Sequence, residues 1–192
     1  MKKKNILCVM MITILLGAAG QAFGQSGSQV NLGKVLVLYY SWSDSANTER
    51  VAGIIRDLTG GDMAKVEPAT PFPDLAYRPM TEWVRAQQAA GNYPAIKPLG
   101  VDVGSYDFIF IGTPAWYNTL ALPLVTLLRE TDFRGKPVTV FGTHQGNGSK
   151  IMGDFSAQVR NARVVPGELF GHVAGDRQLE SKVAAWVRGI QL

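Results

Sequence analysis

The chain has 192 residues, of which 46% are hydrophobic and 18% charged, and its formal net charge is +4. This length predicts one domain with additional segments, and the composition is too apolar for a disordered chain. One cysteine rules out a disulfide scaffold or a multi-cysteine zinc site, and two histidines argue against a histidine metal cluster. We therefore expect a globular domain without a metal centre.

Residues 1–24 have the pattern of a secretory signal peptide. Three lysines near the amino terminus precede a 14-residue apolar run from Ile6 to Ala19, and the small residues Ala22 and Gly24 predict cleavage before Gln25. The alternative is an uncleaved membrane anchor, but a bilayer span needs about 20 apolar residues. We expect an exported protein, periplasmic or secreted, with no stable membrane span after cleavage.

Removal of the signal peptide changes the charge and the redox chemistry of the chain. The mature chain keeps 16 basic residues against 15 acidic ones, a net charge of +1, and no basic stripe remains to bind nucleic acid. Cys8 lies at the front of the apolar run, where a lipoprotein cysteine would not be, so the mature chain has no thiol. Residues 25–33 form a polar leader, and residues 34–192 form the predicted domain.

The first half of the domain alternates strands with helices. Residues 34–40 are an almost continuous apolar run, typical of a strand buried on both faces. Apolar residues then recur with helical spacing over 51–58, and a short second strand covers 62–67. A long proline-rich connection, 69–100, contains one helix over about 80–90.

The second half continues the same alternation. Strands are predicted over 106–111 and 137–141, and a weaker one over 164–170 is an edge strand because it contains Pro166. Helical stripes cover 120–128, 151–159 and 179–190. The order indicates an α/β fold with a five-stranded parallel sheet between two layers of helices. The ligand site of such a sheet lies at the carboxyl ends of its strands.

The loop after the first strand suits an anion. Residues 41–48 contain four hydroxyl side chains and Asn47, just before a helix whose free N–H groups and dipole favour negative charge. A phosphate is one interpretation; the other is that Asn47 or Thr48 simply caps the helix. No nucleotide P-loop and no dinucleotide-binding glycine pattern occurs.

Two further loops follow strands three and four. Residues 112–119 include Trp116 and Tyr117, which provide a flat wall for a planar ring or, alternatively, cover the core or contact another protein. Residues 142–148 contain three glycines, which allow close approach of a ligand. His144 in that loop is either a proton carrier or a polar rim residue, and His172 is interpreted as structural or solvated.

The three loops, in this order, resemble those of the flavodoxin-like family. The resemblance is carried by Val35–Thr48, Tyr106–Thr119 with its GTP-x-W motif, and Lys136–Gly148 with its T-x-x-G motif, together with the DFRGK stretch at 132–136. It implies a three-layer sandwich with strand order 2-1-3-4-5 and an FMN site.

The resemblance also implies which residues hold FMN. The best match to the family's phosphate motif, S/T-x-T-G-x-T, is Ser43–Thr48, and Ser41 competes with Ser43 for the first position. The phosphate group comprises Ser41, Ser43, Ser45, Ala46, Asn47 and Thr48. The ring lies between Pro114, Ala115, Trp116, Tyr117 and Asn118 on one side and Thr143, Gln145 and Gly146 on the other. Ala46 replaces the family's glycine, at a cost of about 1 kcal/mol if the position needs a positive φ.

The expected function is FMN-dependent electron transfer or oxidoreduction with a redox partner protein or a small acceptor such as a quinone. Simple electron transfer needs no catalytic acid or base, so none is assigned. Two alternatives stay open. One is an NAD(P)H-dependent quinone or nitro reductase. The other is a flavin-free binding protein that retains the fold, and Ala46 is its main support.

Overall fold

The computed structural model describes residues 30–42 and 46–192. The predicted signal peptide with Cys8 and the loop residues Ser43 and Ser45 lie outside the described residues. The strands are β1 (Val35–Tyr39), β2 (Asp62–Lys65), β3 (Phe108–Pro114), β4 (Pro137–His144), β5 (Arg163–Val164) and β6 (Glu168–Gly171). The helices are α1 (Asn47–Thr59), α2 (Tyr77–Ala90), α3 (Leu122–Glu130), α4 (Ile151–Gln158) and α5 (Leu179–Arg188).

All strand pairs are parallel, and the sheet order is β2-β1-β3-β4-β5, with β6 also paired to β4. Alternate residues of each central strand enter opposite cores, because successive side chains of a strand point to opposite faces. Leu36 and Leu38 pack with residues of α3 and α4, whereas Val35 and Val37 pack with residues of α1 and α5. The predicted three-layer fold and strand order are confirmed.

The predicted edge strand over 164–170 is divided into β5 and β6. Pro166 has no N–H to donate to β4, and the pairing register changes there from Val138↔Val164 to Phe141↔Glu168. One extra residue is thus accommodated as a β-bulge. Gly167 lies at the bulge, where a Cβ would come 2.2 Å from the backbone oxygen of Val140, so a side chain there would collide with β4.

Residues 30–33, which the sequence analysis places in the polar leader, pack against the domain. The N–H of Val30 donates to the carbonyl of Leu58 at 3.1 Å, and Leu32 is buried in the core between the sheet and α1 and α5. The folded domain therefore includes at least residue 30. Within the described residues, no helix is both long and apolar enough to cross a bilayer.

Candidate functional site

Strands β3 and β4 continue beyond their predicted ends and bring two of the three loops together. Pro114 pairs with Thr143, and the N–H of Ala115 donates to the carbonyl of Thr143 at 2.8 Å. Gly112 permits this close pairing, because a Cβ there would come 2.3 Å from the ring of Phe141. Pro114 and Thr143 are therefore strand residues, and the ligand-facing loops begin after them.

The start of α1 has no side-chain cap among the described residues. The N-cap residue is Ala46, and Asn47 and Thr48 follow as the first two helical residues, so the capping interpretation of Asn47 and Thr48 is wrong. The side-chain oxygen of Asn47 is buried and accepts no hydrogen bond from a described residue. A helix N-terminus without a capping side chain keeps free N–H donors and a positive dipole end, which suits an anion.

The hydroxyls of Thr48 and Thr143 form a buried hydrogen bond of 2.8 Å. This bond joins the first turn of α1 to the end of β4, so the first and third predicted loops meet through their side chains. Neither hydroxyl lines the cavity described below. In this arrangement the two threonines position the loops relative to each other, a role that the sequence analysis did not predict.

Ala46 has φ +46° and ψ +35°, in the left-handed region. The left-handed conformation destabilises the folded state by roughly 1–2 kcal/mol for an L-residue with a Cβ. Replacing alanine by glycine removes this strain but raises the entropy of the unfolded chain, which lowers stability by about 0.4–1 kcal/mol. Ala46→Gly is therefore expected to raise the free energy of unfolding by about 0.5–1 kcal/mol, measured by urea denaturation. FMN affinity is expected to stay equal or to increase.

Ala86→Gly is the matched control for Ala46→Gly. Ala86 is exposed within α2, where glycine costs about 1 kcal/mol, so the two substitutions should change stability in opposite directions. A tenfold loss of FMN affinity in Ala46→Gly would instead show that alanine is a native requirement of this loop.

The second loop is a tight turn held from two sides. Trp116 and Thr119 form a reciprocal backbone pair around Tyr117 (φ +53°) and Asn118 (φ +68°), as in a type I′ turn. The carbonyl of Asn118 accepts the N–H of Lys150 at 2.9 Å. A left-handed tyrosine is unfavourable, and such strain persists where the surrounding contacts fix the chain.

Trp116 lies in an aromatic cluster. Its ring makes edge contacts with Tyr40, Trp42 and Phe72 at centroid distances of 5.5, 5.4 and 5.6 Å. Edge-to-face pairs of this kind are worth about 0.5–1.5 kcal/mol each beyond the area they bury. Burial raises the pKa of Tyr40, so its phenol stays protonated at neutral pH. The cluster therefore holds the Trp116 ring firmly at the carboxyl end of the sheet.

A cavity of about 730 Å³ opens beside this cluster, within the usual size range of ligand sites. The second and third loops contribute Ala115, Trp116, Tyr117, Asn118, Gln145 and Gly146, all of which the sequence analysis assigned to the ring site. The structure also places Trp42, His144 and Asn147 in the lining, together with Leu75, Met80, Thr81 and Val84 from α2 and the segment before it.

The contribution of α2 was missed by the sequence analysis. Met80 and Val84 are four residues apart and share a helix face, a signal that identifies an apolar side but not what it covers. Of the remaining predicted residues, Ser41 is half-buried but does not line the cavity, and Ala46, Asn47 and Thr48 lie at the start of α1.

His144 presents an unpaired polar atom beside the cavity. Its Nδ1 is buried and has no hydrogen-bond partner among the described residues. The ring lies against Gly171, where a Cβ would come 3.0 Å from Cε1 of the imidazole. A buried polar atom without a partner costs about 1–3 kcal/mol, so Nδ1 suits a polar ligand in the cavity. The Asn47 oxygen suits a hydrogen-bond donor at the start of α1.

The described part of the chain is thus an α/β domain with a cavity of mixed aromatic and polar lining at the carboxyl ends of its strands, where open sheets of this class bind ligands. A sequence model of the flavodoxin family matches residues 34–190. The chain belongs to the flavodoxin family. Among curated proteins, none matches the sequence.

Solved structures support the assignment of the fold. A flavoprotein from Lactobacillus acidophilus NCFM, crystallised in complex with FMN, is 27% identical with a TM-score of 0.63, covering 71% of this chain and 93% of that one. The apo-form of the L. acidophilus flavoprotein, determined by NMR, is 24% identical with a TM-score of 0.55, covering 77% and 95%. A crystal structure from Bacteroides eggerthii DSM 20697 is 24% identical with a TM-score of 0.65, covering 83% and 99%. The last two similarities concern the fold alone.

Proposed function

We propose that this protein binds FMN at the carboxyl end of its sheet and exchanges electrons through it. The observation that carries the proposal is the similarity to the L. acidophilus flavoprotein that was crystallised with FMN, over 93% of that chain. Membership of the flavodoxin family supports it independently. FMN, when bound, supplies the redox chemistry, and the protein supplies position and electrostatics.

The described residues fit this cofactor at both of its ends. The start of α1 offers free N–H groups and a positive dipole end for the phosphate. The unpaired oxygen of Asn47 can accept a hydrogen bond from a hydroxyl of the cofactor. The cavity offers the Trp116 ring and open space at Gly146, where a Cβ would meet no atom within 4 Å. Ala115, Tyr117, Asn118 and Gln145 complete the proposed ring site, with Pro114 and Thr143 at the strand ends just before it. The other predicted phosphate residues within the described part of the chain are Ser41, Ala46 and Thr48, and Ser43 and Ser45 remain predictions from the sequence motif.

Electron exchange is tested on FMN-loaded protein after removal of free flavin. We expect stoichiometric dithionite to bleach the flavin absorbance and ferricyanide to restore it, with FMN still bound after desalting at each stage. FMN-free protein treated identically is the control. Flavin that elutes from the protein on desalting would support the flavin-free binding protein, the alternative that Ala46 favours.

The electron donor and acceptor are proposed at the level of class: a redox partner protein or a small-molecule acceptor such as a quinone. An NAD(P)H-dependent quinone or nitro reductase is the second candidate. Anaerobic addition of NADH and NADPH to the FMN-loaded protein separates the two, because only the reductase takes electrons directly from a nicotinamide.

We also propose that the protein is exported. The support is the lysine-rich start, the apolar run and the small residues before Gln25. N-terminal sequencing of the protein from its producing cell should begin at Gln25, and material that begins at Met1 would contradict export by cleavage.

A further inference from the structure

We propose that the α2 side of the cavity is a second binding site, which takes an uncharged planar aromatic molecule of the quinone or nitroaromatic class beside FMN. The inference rests on the proposed FMN site and narrows its acceptor.

The cavity wall has two sources. One is the pair of loops after β3 and β4, to which the flavin ring is assigned. The other is Leu75 with Met80, Thr81 and Val84, from the connection between β2 and β3. This second wall belongs to none of the three loops that are assigned to FMN. Its apolar side chains Leu75, Met80 and Val84 face the same cavity, and the FMN assignment gives them no role.

Exposed apolar side chains are concentrated around this cavity. Among the described residues, five large apolar side chains are exposed, and three of them line the cavity: Leu75 at 40% on the α2 side, and Trp42 at 45% and Tyr117 at 37% on the loops that face it. Single exposed apolar residues are normal on a protein surface, but several around one cavity indicate a binding site. Flat rings in this position favour a planar aromatic ligand.

The described lining residues include no carboxylate, ammonium or guanidinium group. Arg85 lies nearby, but its guanidinium is placed 5.4 Å from the centroid of the Tyr117 ring, in a cation–π contact. A charged ligand that enters such a cavity loses hydration without gaining a counter-charge from the lining residues. Neutral polar partners are present instead: His144, Gln145 and Asn147 can hydrogen-bond carbonyl or nitro oxygens.

The test compares 1,4-naphthoquinone with its 2-sulfonate by calorimetry on oxidised FMN-loaded protein, so that no turnover is needed. We expect saturable binding of the neutral quinone and at least tenfold weaker binding of the sulfonate. Leu75→Asp should weaken binding of the neutral quinone at least fivefold. Leu75→Lys should shift the binding preference towards the sulfonate. Val164→Asp, at an exposed apolar residue that does not line the cavity, should change neither.

Equal binding of the two quinones, no saturable binding, or identical effects of Leu75→Asp and Val164→Asp would overturn the inference. The FMN dissociation constant of each variant is measured separately. FMN binding without quinone binding rejects the second site and keeps the proposed function, whereas failure of wild-type protein to bind FMN rejects both.

Discussion

Trp116→Ala is expected to weaken FMN binding at least tenfold, equivalent to about 1.4 kcal/mol. The ring lines the cavity and is held by edge contacts with Tyr40, Trp42 and Phe72, so it offers a pre-positioned surface for the isoalloxazine. Loss of stacking alone accounts for about 0.5–1.5 kcal/mol, and lost apolar contact area adds to this. The reduction potential should also shift, because stacking affects oxidised and reduced flavin differently.

Stability should fall together with affinity. Truncation of a fully buried tryptophan lowers the free energy of unfolding by about 3–5 kcal/mol. Because Trp116 is half-buried, we expect Trp116→Ala to lower it by about 2 kcal/mol, measured by urea denaturation. Trp116→Phe retains a ring in the cluster and separates the two effects: it should preserve most of the stability and part of the affinity.

Tryptophan fluorescence provides the second measurement. FMN should quench wild-type fluorescence more than that of Trp116→Ala, and Trp42 should account for remaining quenching because it lines the same cavity. Trp186→Phe is the remote control, since Trp186 packs with Phe110 in the core on the α1 and α5 side. Equal quenching and equal affinity in wild type and Trp116→Ala would show that the second loop is not the flavin wall.

The second large effect is expected at the buried threonine pair. Thr48→Val removes one hydroxyl of the 2.8 Å bond and leaves that of Thr143 buried without a partner, at a cost of about 1–3 kcal/mol. Thr143→Val should cost a similar amount. The double variant Thr48→Val/Thr143→Val leaves no orphaned hydroxyl, so its loss should be clearly smaller than the sum of the two single losses.

Thr139 supplies the control for this double-mutant cycle. Its hydroxyl donates to the carbonyl of Pro166, at a different place along β4. Thr139 and Thr48 share no hydrogen-bond partner, so the stability losses of Thr139→Val and Thr48→Val should add. Additivity of Thr48→Val with Thr143→Val would mean that their hydrogen bond contributes nothing. FMN affinity measured on the same variants reports whether the relative position of the two loops matters for binding.

The periodic parts of the fold were predictable from the sequence. Apolar runs such as Val35–Tyr39 and the helical stripe from Val51 to Leu58 identify their elements locally, because strands and helices have different side-chain periods. The extension of β4 to His144 was not predictable in this way. It depends on its register with β3, and register is set by tertiary pairing that a single segment does not encode.

The candidate site was predictable only where the resemblance supplied a motif. The structure brings the loops around Trp116 and Gln145 to one cavity, and their assignment to FMN stays a prediction. The α2 wall was not predicted, because Leu75 and Val84 lie within a proline-rich connection whose path depends on what it packs against. The Thr48–Thr143 bond escaped prediction for the same reason, since the two residues are 95 positions apart.

The most direct test of the FMN site is an equilibrium titration of flavin-free protein with FMN and, separately, with FAD, followed by the change in flavin fluorescence. A helix N-terminus that suits one terminal phosphate, in a chain without a dinucleotide-binding glycine pattern, predicts one FMN per chain and at least tenfold weaker binding of FAD. Equal affinity for the two flavins, or no saturable binding of FMN, would contradict the proposed site.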